Sequence, residues 1–302
     1  NGIIENYMEL KSELERKGHR FKSKTDTEVA AHLIEASYRG DLCEALRRAV
    51  QRMDGFFSFA LLSQWAPDRL FAFKRSNPLV VGIGDNEHFV ASDVSALLPY
   101  TKKVIYLDDD EVVELSRDSV NISHLRKRTL VQKPVSEIHW NVEEAQRGGF
   151  PHFMLKEIHD EPRVLEEILR KRIQKGKGVQ FDTIDLRTQA RLKRTERIFM
   201  VSCGTAYHAG LVGDYVFEDL AKIPTEAHVS SEFRYSAQLM GREDAAIFIT
   251  QSGETADTLA ALRLAKEKGV LTIAVVNVVG STIAREADAV IYTHAGPEIG
   301  VA

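Results

Sequence analysis

The pattern of apolar segments changes at about residue 197, and this change constrains the fold more than any other feature of the sequence. From there on, apolar runs alternate with segments of helical spacing, the runs at residues 198–201, 226–229, 245–249, 271–276 and 289–292 and the helical segments at 206–220 and 255–268. Near-continuous apolar strands separated by helices are typical of a parallel sheet covered on both faces. We therefore predict a doubly wound α/β domain in the second half of the chain.

The first half has a different pattern, in which helices precede a group of short strands. Residues 7–17 and 27–53 have helical spacing, and β-rich runs follow at residues 57–62, 69–73, 79–83, 89–91, 104–107 and 111–115. Helices followed by such runs predict an α+β layered domain with an antiparallel sheet. A chain of 302 residues is long enough for two domains. We expect a first domain at 1–125, a linker at 126–150 and a second domain at 151–302.

Composition excludes several classes of partner and site. The net charge of −4 gives no general attraction to nucleic acid, and no segment has the roughly 20 apolar residues of a membrane span. Cys43 and Cys203 lie far apart without a CxxC spacing, so we expect a cytoplasmic protein without disulfides. The ten histidines lack HxxH and HExxH spacing, and we therefore predict no metal site.

The most informative segment is residues 249–259, ITQSGETADTL, where an apolar strand ends and a helix starts at once. Thr250, Ser252 and Thr255 surround Gly253 in this turn. Free N–H groups and the positive end of the helix dipole would favour a phosphate there, and the hydroxyls add donors. Alternatively, Thr255 or Ser252 only caps the helix. A Walker loop is excluded because its lysine is absent.

A second turn, residues 201–210 with the sequence VSCGTAYHAG, has the same construction around Gly204 and Thr205. Ligands of doubly wound sheets bind outside the carboxyl ends of the strands, so the two turns can line one crevice. A capped helix, with Cys203 as a small buried residue, is the alternative.

Two features of the first half have a structural interpretation of their own. Residues 25–28, TDTE, fit a capping box in which Thr25 is the N-cap and Glu28 reaches back to it. Asp26 could instead hold a ligand's ammonium group. Asn1-Gly2 by itself is only a turn signal.

Taken together, several strings match one family in order. They are NGIIEN at 1–6, TDTE at 25–28, ASD at 91–93, HFMLKEI at 152–158, CGT at 203–205, SEFRY at 231–235, QSGETADT at 251–258 and EIGVA at 298–302. Over its whole length the chain resembles the glutamine:fructose-6-phosphate amidotransferases (glucosamine-6-phosphate synthases). Among sugar isomerase (SIS) domains the string at 251–258 is specific to this family, whereas TDTE recurs in other N-terminal-nucleophile glutaminases.

The resemblance implies the end of a type 2 glutaminase domain of the N-terminal-nucleophile class, followed by a first SIS domain. The family uses glutamine to convert fructose 6-phosphate to glucosamine 6-phosphate, without a metal or redox cofactor. The resemblance makes the Asn1 side chain and the Gly2 backbone N–H donors to the oxyanion of glutamine hydrolysis. It makes Asp26 the partner of the α-ammonium of glutamine.

In the second half, the resemblance assigns sugar-phosphate binding to Thr250, Gln251, Ser252 and Thr255, with further contacts from Thr205 and the Val301 backbone. Thr250 replaces a frequent serine and keeps the hydroxyl, whereas Ala206 replaces another and loses it. The family precedent implies a homodimer built through SIS domains.

The resemblance also suggests an internal fragment. The family's nucleophile is an N-terminal cysteine, whereas this sequence starts at Asn1, and the isomerising residues of the family would follow residue 302. We expect such a fragment to bind sugar phosphate without turnover. The alternative is a non-catalytic SIS-domain sensor of sugar phosphates, against which the strand-rich first half argues. Another glutamine amidotransferase is disfavoured by the string at 251–258.

Overall fold

The structure is a computed structural model that describes residues 2–138, 147–174, 176, 178–181, 183–236 and 239–300. The chain divides into two compact units, Asn1–His139 and Trp140–Ala302, called unit 1 and unit 2 below. Among the helices of these described ranges, none is both long enough and apolar enough to cross a lipid bilayer.

Unit 1 begins with a short strand and three helices, and continues as a series of strands. In chain order its elements are β1 (Gly2–Ile4), α1 (Tyr7–Arg16), α2 (Thr27–Ser37), α3 (Leu42–Val50), β2 (Gly55–Ser63), β3 (Ala66–Arg75), β4 (Val80–Ile83), β5 (His88–Ala91), a 3₁₀ turn (Val94–Ala96), β6 (Lys103–Tyr106), β7 (Glu111–Leu115), β8 (Val120–His124) and β9 (Ser136–Glu137).

These strands form two antiparallel sheets, with strand orders β1-β2-β3-β7-β8 and β5-β4-β6-β9 over the described residues. The helices cover one face of the first sheet, where Leu33 and Leu46 pack in a common core with Phe73. The other face carries Val113, which packs in a second core with Val81 of the second sheet. Side chains alternate between the faces of a strand, so one sheet can contribute to two cores. The predicted α+β layered arrangement is confirmed.

Unit 2 contains a long helix, followed by the predicted alternation of strands and helices. Its elements are α4 (Phe153–Arg172), β10 (Ile173–Gln174), β11 (Gly178–Val179), α5 (Leu186–Leu192), β12 (Arg197–Ser202), α6 (Thr205–Val216), a π-helical turn (Phe217–Ala221), β13 (Thr225–Val229), α7 (Ser230–Ser236), β14 (Asp244–Thr250), α8 (Ala256–Glu267), β15 (Leu271–Val276), α9 (Thr282–Glu286) and β16 (Ala289–Tyr292).

The main sheet of unit 2 is parallel, with the order β13-β12-β14-β15-β16 over the described residues. Alternate residues of β12 enter two different cores. Phe199 packs in a core that contains Leu262 of α8, whereas Met200 packs in a core with Leu192 of α5. Apolar side chains on both faces require helices on both faces. The predicted doubly wound parallel sheet is therefore confirmed.

Among the described residues, five strands had no counterpart in the sequence prediction: β1, β8, β9, β10 and β11. β1 pairs with β2, and β9 pairs with β6 although it lies in the segment predicted as a linker. Strands of two or three residues are too short to show a period-2 pattern, and long-range pairing alone defines them.

Candidate functional site

The topological switch point of the parallel sheet lies between β12 and β14. After β12 the chain passes through α6 to β13 on one side, and then returns to β14 on the other side. The connections after β12 and β14 therefore diverge and leave a crevice at the carboxyl edge of the sheet, which is the usual ligand site of this architecture. Since Ser202 is in register with Ile249, the turns around Gly204 and Gly253 follow at the same edge.

The turn after β14 contains the three predicted hydroxyl residues. Thr250 Oγ1 accepts a hydrogen bond from Gly253 N at 3.2 Å and lies 3.3 Å from Thr255 Oγ1. Ser252 Oγ accepts one from Glu254 N at 3.2 Å. Thr255 is the N-cap of α8, and its side chain makes no capping hydrogen bond. These hydroxyls therefore organise the turn and leave the first turn of α8 without a side-chain cap.

Gly253 brings this turn into close contact with the next one. Its φ is +69°, and a Cβ atom there would lie 2.6 Å from Ser281 Cβ and 2.9 Å from Val276 Cγ2. Its carbonyl oxygen accepts a hydrogen bond from Ile283 N at 3.0 Å. The Ser281 hydroxyl is buried and, among the described residues, has no hydrogen-bond partner. Glycine is required at this position because of both its φ and the space available.

Glu254 and Asn277 fix the loops beside the turn, although neither was predicted as a site residue. The Glu254 carboxylate accepts hydrogen bonds from Thr282 N at 2.7 Å and Thr282 Oγ1 at 2.9 Å, and so caps α9. The Asn277 amide donates to Gly296 O at 2.6 Å, and Asn277 Oδ1 accepts from Ala295 N at 2.8 Å. A polar residue that follows directly on an apolar strand was the available signal for Asn277.

The turn after β12 is more open. Gly204 has a φ of +58° and is the N-cap of α6, which begins at Thr205 and has no side-chain cap. A Cβ atom on Gly204 would meet no atom within 4 Å. Thr205 is exposed. The switch point thus presents two helix N-termini, those of α6 and α8, at which the N-cap residue makes no side-chain capping hydrogen bond to the described residues.

The segment after β16 is attached to α4. Glu157 Oε1 accepts hydrogen bonds from Ile299 N at 2.8 Å and Gly300 N at 2.9 Å. Burial, and then the charge of Glu157, raise the pKa of Glu298. Val301, predicted to contact the sugar, lies outside the described residues.

In unit 1 the structure brings the strand of Gly2 close to Asp26. Asp26 Oδ2 accepts a hydrogen bond from Ile4 N at 2.8 Å. Gly2 has a φ of +93°, and a Cβ atom there would overlap the Phe56 carbonyl oxygen and the Asn77 side chain. Asn1 lies outside the described residues.

The predicted capping box at residues 25–28 is wrong. α2 starts at Thr27 with Asp26 as the N-cap residue, and Glu28 accepts instead from Lys22 N and Ser23 N, each at 2.7 Å. These bonds, with one from the Ser23 hydroxyl, lower the pKa of Glu28 to about 2. The loop before α2 folds back over the helix. Its backbone N–H groups therefore occupy the Glu28 carboxylate, which in a capping box would accept from the N-cap residue.

Two cavities in unit 1, of about 310 and 380 Å³, lie next to α3. The smaller is bordered by Arg39 and Arg128, and the larger by the stacked rings of Tyr38 and Trp65. Neither cavity is lined by Gly2 or Asp26, so neither coincides with the candidate glutamine site. The hydrogen-bond donors and acceptors of the turns, and not a cavity, define the candidate sites.

Comparisons with known proteins match a different domain family in each unit. The glutamine amidotransferase domain family matches residues 1–99, and the SIS domain family matches residues 191–302. The chain is 49% identical over its whole length to the glutamine–fructose-6-phosphate aminotransferases (isomerizing) of Caldanaerobacter subterraneus and Aquifex aeolicus, and covers 49% of each. It spans about half the length of the curated relatives it matches.

Among solved structures, the C-terminal domain of glucosamine-fructose-6-phosphate aminotransferase from Francisella tularensis is 36% identical with a TM-score of 0.49. That match covers 52% of this chain and 44% of the other.

Proposed function

We propose that this chain binds fructose 6-phosphate in unit 2 and contributes to a glutamine site in unit 1. The chain combines a glutamine amidotransferase domain with a SIS domain, and it is homologous over its whole length to about half of the glutamine–fructose-6-phosphate aminotransferases. In this proposal the chain takes part in forming glucosamine 6-phosphate and glutamate from fructose 6-phosphate and glutamine. In this proposal the chain itself binds the sugar phosphate and does not isomerise it.

One observation carries the assignment in unit 2: α8 begins at the switch point without a side-chain cap, beside three hydroxyl groups. The first N–H groups of a helix and its dipole, about half a positive charge, stabilise an anion. A phosphate is the ligand class that fits such a helix end.

The hydrogen bonds within the turn leave hydroxyl protons available to the phosphate. Ser252 Oγ accepts from Glu254 N, so its lone pair is used in the turn and its O–H can donate outward. Thr250 Oγ1 likewise accepts from Gly253 N, and its proton can go to Thr255 or to a ligand. Gln251 and Thr205, with the Val301 backbone, would contact the sugar.

In unit 1, we assign Asn1 and the Gly2 backbone N–H to the oxyanion and Asp26 to the α-ammonium of glutamine. In support, Asp26 Oδ2 is held by Ile4 N, only two residues from Gly2. Within the described part of the chain, the one contact of Asp26 Oδ1 is a long one, 3.4 Å from Thr27 Oγ1, so this oxygen keeps capacity to accept from an ammonium group.

We also propose that the protein is a homodimer through unit 2. An apolar stripe on α6 and the π-helical turn is exposed, including Val212 (63%), Tyr215 (77%) and Leu220 (77%). An exposed contiguous apolar stripe of this kind marks an interaction surface. The thiols of Cys43 and Cys203 are unpaired, in keeping with the expected cytoplasmic location.

The phosphate site is tested with Ser252→Ala, because Thr255→Ala could also alter the start of α8. A hydrogen bond to a charged group contributes about 1.5 to 3 kcal/mol, so the variant should bind fructose 6-phosphate roughly tenfold or more weakly. Calorimetric titration of the 302-residue chain measures this, with unphosphorylated fructose as the control ligand.

Ser236→Ala is the matched control, since its hydroxyl bonds to Glu232 O within α7. It should leave the affinity unchanged. If Ser252→Ala binds as tightly as the parent, or loses affinity only in proportion to lost thermal stability, the turn is a structural cap and the phosphate binds elsewhere.

A further inference from the structure

A cluster of two histidines and a glutamate in unit 1 lies outside the proposed substrate sites. His19 is in the loop after α1, and His32 and Glu35 are in α2. His19 Nδ1 lies 3.1 Å from His32 Nδ1. Glu35 Oε2 lies 3.4 Å from His19 Nδ1 and 3.6 Å from His32 Nδ1. Three possible ligand atoms therefore form a nearly equilateral triangle.

This triangle is close in size to one face of a tetrahedral metal site: two of its edges fall in the range for such a site, and the third, at 3.1 Å, is slightly shorter. Zinc binds histidine nitrogen and carboxylate oxygen at about 2.0 to 2.2 Å, so the ligand atoms of a tetrahedral ion lie about 3.3 to 3.6 Å apart. We propose that His19, His32 and Glu35 bind a divalent transition-metal ion of the zinc class. The Glu35 side chain is 57% exposed, so the fourth position faces solvent and suits a water molecule.

The contacts of His32 favour a free lone pair on its Nδ1. A neutral imidazole carries one proton, and Nε2 of His32 lies 3.6 Å from Glu28 Oε1, where an N–H can be directed at the carboxylate. In that tautomer Nδ1 of His32 carries a lone pair that faces Glu35 Oε2 at 3.6 Å. A single cation accepts all three lone pairs at once.

The surroundings of His32 also fit a ligand role. Its Nε2 lies 3.6 Å from Glu28 Oε1, and the Glu28 carboxylate is held in place by Lys22 N and Ser23 N. Metal-binding histidines usually direct their second N–H at such a carboxylate, which orients the ring. The rings of His19 and His32 are inclined at 78°, and Phe21 packs on His32 with ring centroids 4.3 Å apart.

The donor set selects the class of ion. Two imidazoles and one carboxylate suit zinc, cobalt or nickel, whereas magnesium and calcium prefer sites made of oxygen ligands. A bound ion would join the loop after α1, which leads to Asp26, to the middle of α2. The site is independent of the proposed sugar-phosphate site, which belongs to the other unit.

The test is a titration of the metal-free 302-residue chain with Zn²⁺ in competition with a chromophoric chelator. We expect saturable binding of one ion per chain, and no competition from millimolar Mg²⁺. His19→Gln and His32→Gln should each weaken binding at least about tenfold. His208→Gln, which removes an exposed histidine of α6, is the matched control and should bind as the parent does.

Glu35→Gln keeps the test decisive if a histidine variant fails to fold, because the Glu35 side chain is mostly exposed. It should weaken Zn²⁺ binding while leaving the far-ultraviolet circular dichroism unchanged. The proposal is overturned if the parent shows no saturable one-to-one binding, or if His208→Gln weakens binding as much as the cluster variants do. It is also overturned if a folded Glu35→Gln variant retains the parent affinity.

Discussion

The close approach of Gly253 to Ser281 predicts that Gly253→Ala destabilises unit 2 more than a backbone effect explains. A non-glycine residue at positive φ costs about 1 to 2 kcal/mol. The added Cβ would also meet Ser281 Cβ at 2.6 Å and Val276 Cγ2 at 2.9 Å, and overpacking of this kind costs about a further 1 to 3 kcal/mol. We therefore expect a total loss of about 2 to 5 kcal/mol.

Gly269→Ala separates the two contributions. Gly269, just after α8, has a similar φ of +78°, but a Cβ atom there would meet only the flexible Arg242 side chain, at 3.2 Å. This control should lose only the backbone contribution of about 1 to 2 kcal/mol. The difference between the two variants measures the packing of the turn against Ser281.

Amide hydrogen exchange of peptides from β14 and β15 gives the opening free energy of the sheet in each variant. Fructose 6-phosphate titration of the same proteins reports whether the turn keeps its shape. If Gly253→Ala is no more destabilising than Gly269→Ala and retains its affinity, Ser281 moves aside freely and the turn is not fixed as we infer.

Two further predictions concern a thiol and a surface. Burial raises the pKa of the Cys43 thiol. In a Cys203→Ser variant the alkylation rate should therefore reach half its maximum at a higher pH than in the same variant unfolded in denaturant, and an equal or lower midpoint would contradict the burial. The double variant Tyr215→Lys, Leu220→Lys should convert the proposed dimer to a monomer, as measured by sedimentation velocity. Leu186→Lys, which changes an 82% exposed residue of α5, is the control and should leave the dimer intact. If the double variant is still a dimer, the interface lies elsewhere.

The two fold classes could be predicted because their patterns are local. The apolar runs that became β12, β14 and β15 are nearly continuous, and this pattern indicates burial on both faces. Because ligands of such sheets bind at the carboxyl edge of the strands, the sequence alone predicts the turns at Gly204 and Gly253 as the ligand site. The structure places both turns at that edge, while their role in binding stays a prediction.

What the sequence did not indicate depends on contacts between distant residues. Glu28 fits a capping box by spacing, yet it bonds to Lys22 and Ser23 because the preceding loop folds back on the helix. His19 and His32 are 13 positions apart and on different segments, so no metal-binding spacing reveals their 3.1 Å contact. Short strands such as β9 likewise exist only through their partners.

The strand order at the switch point also has a consequence for synthesis on the ribosome. β12 has partners on both edges, but β14 follows it by about 40 residues in the chain. At about 5 to 20 residues per second, one edge of β12 lacks its partner for about 1 to 4 seconds after β13 has emerged. An apolar strand with a free edge can pair with another nascent chain. A pause in synthesis between the emergence of β13 and that of β14 should therefore increase aggregation of the newly made protein, whereas a pause after β14 has emerged should not.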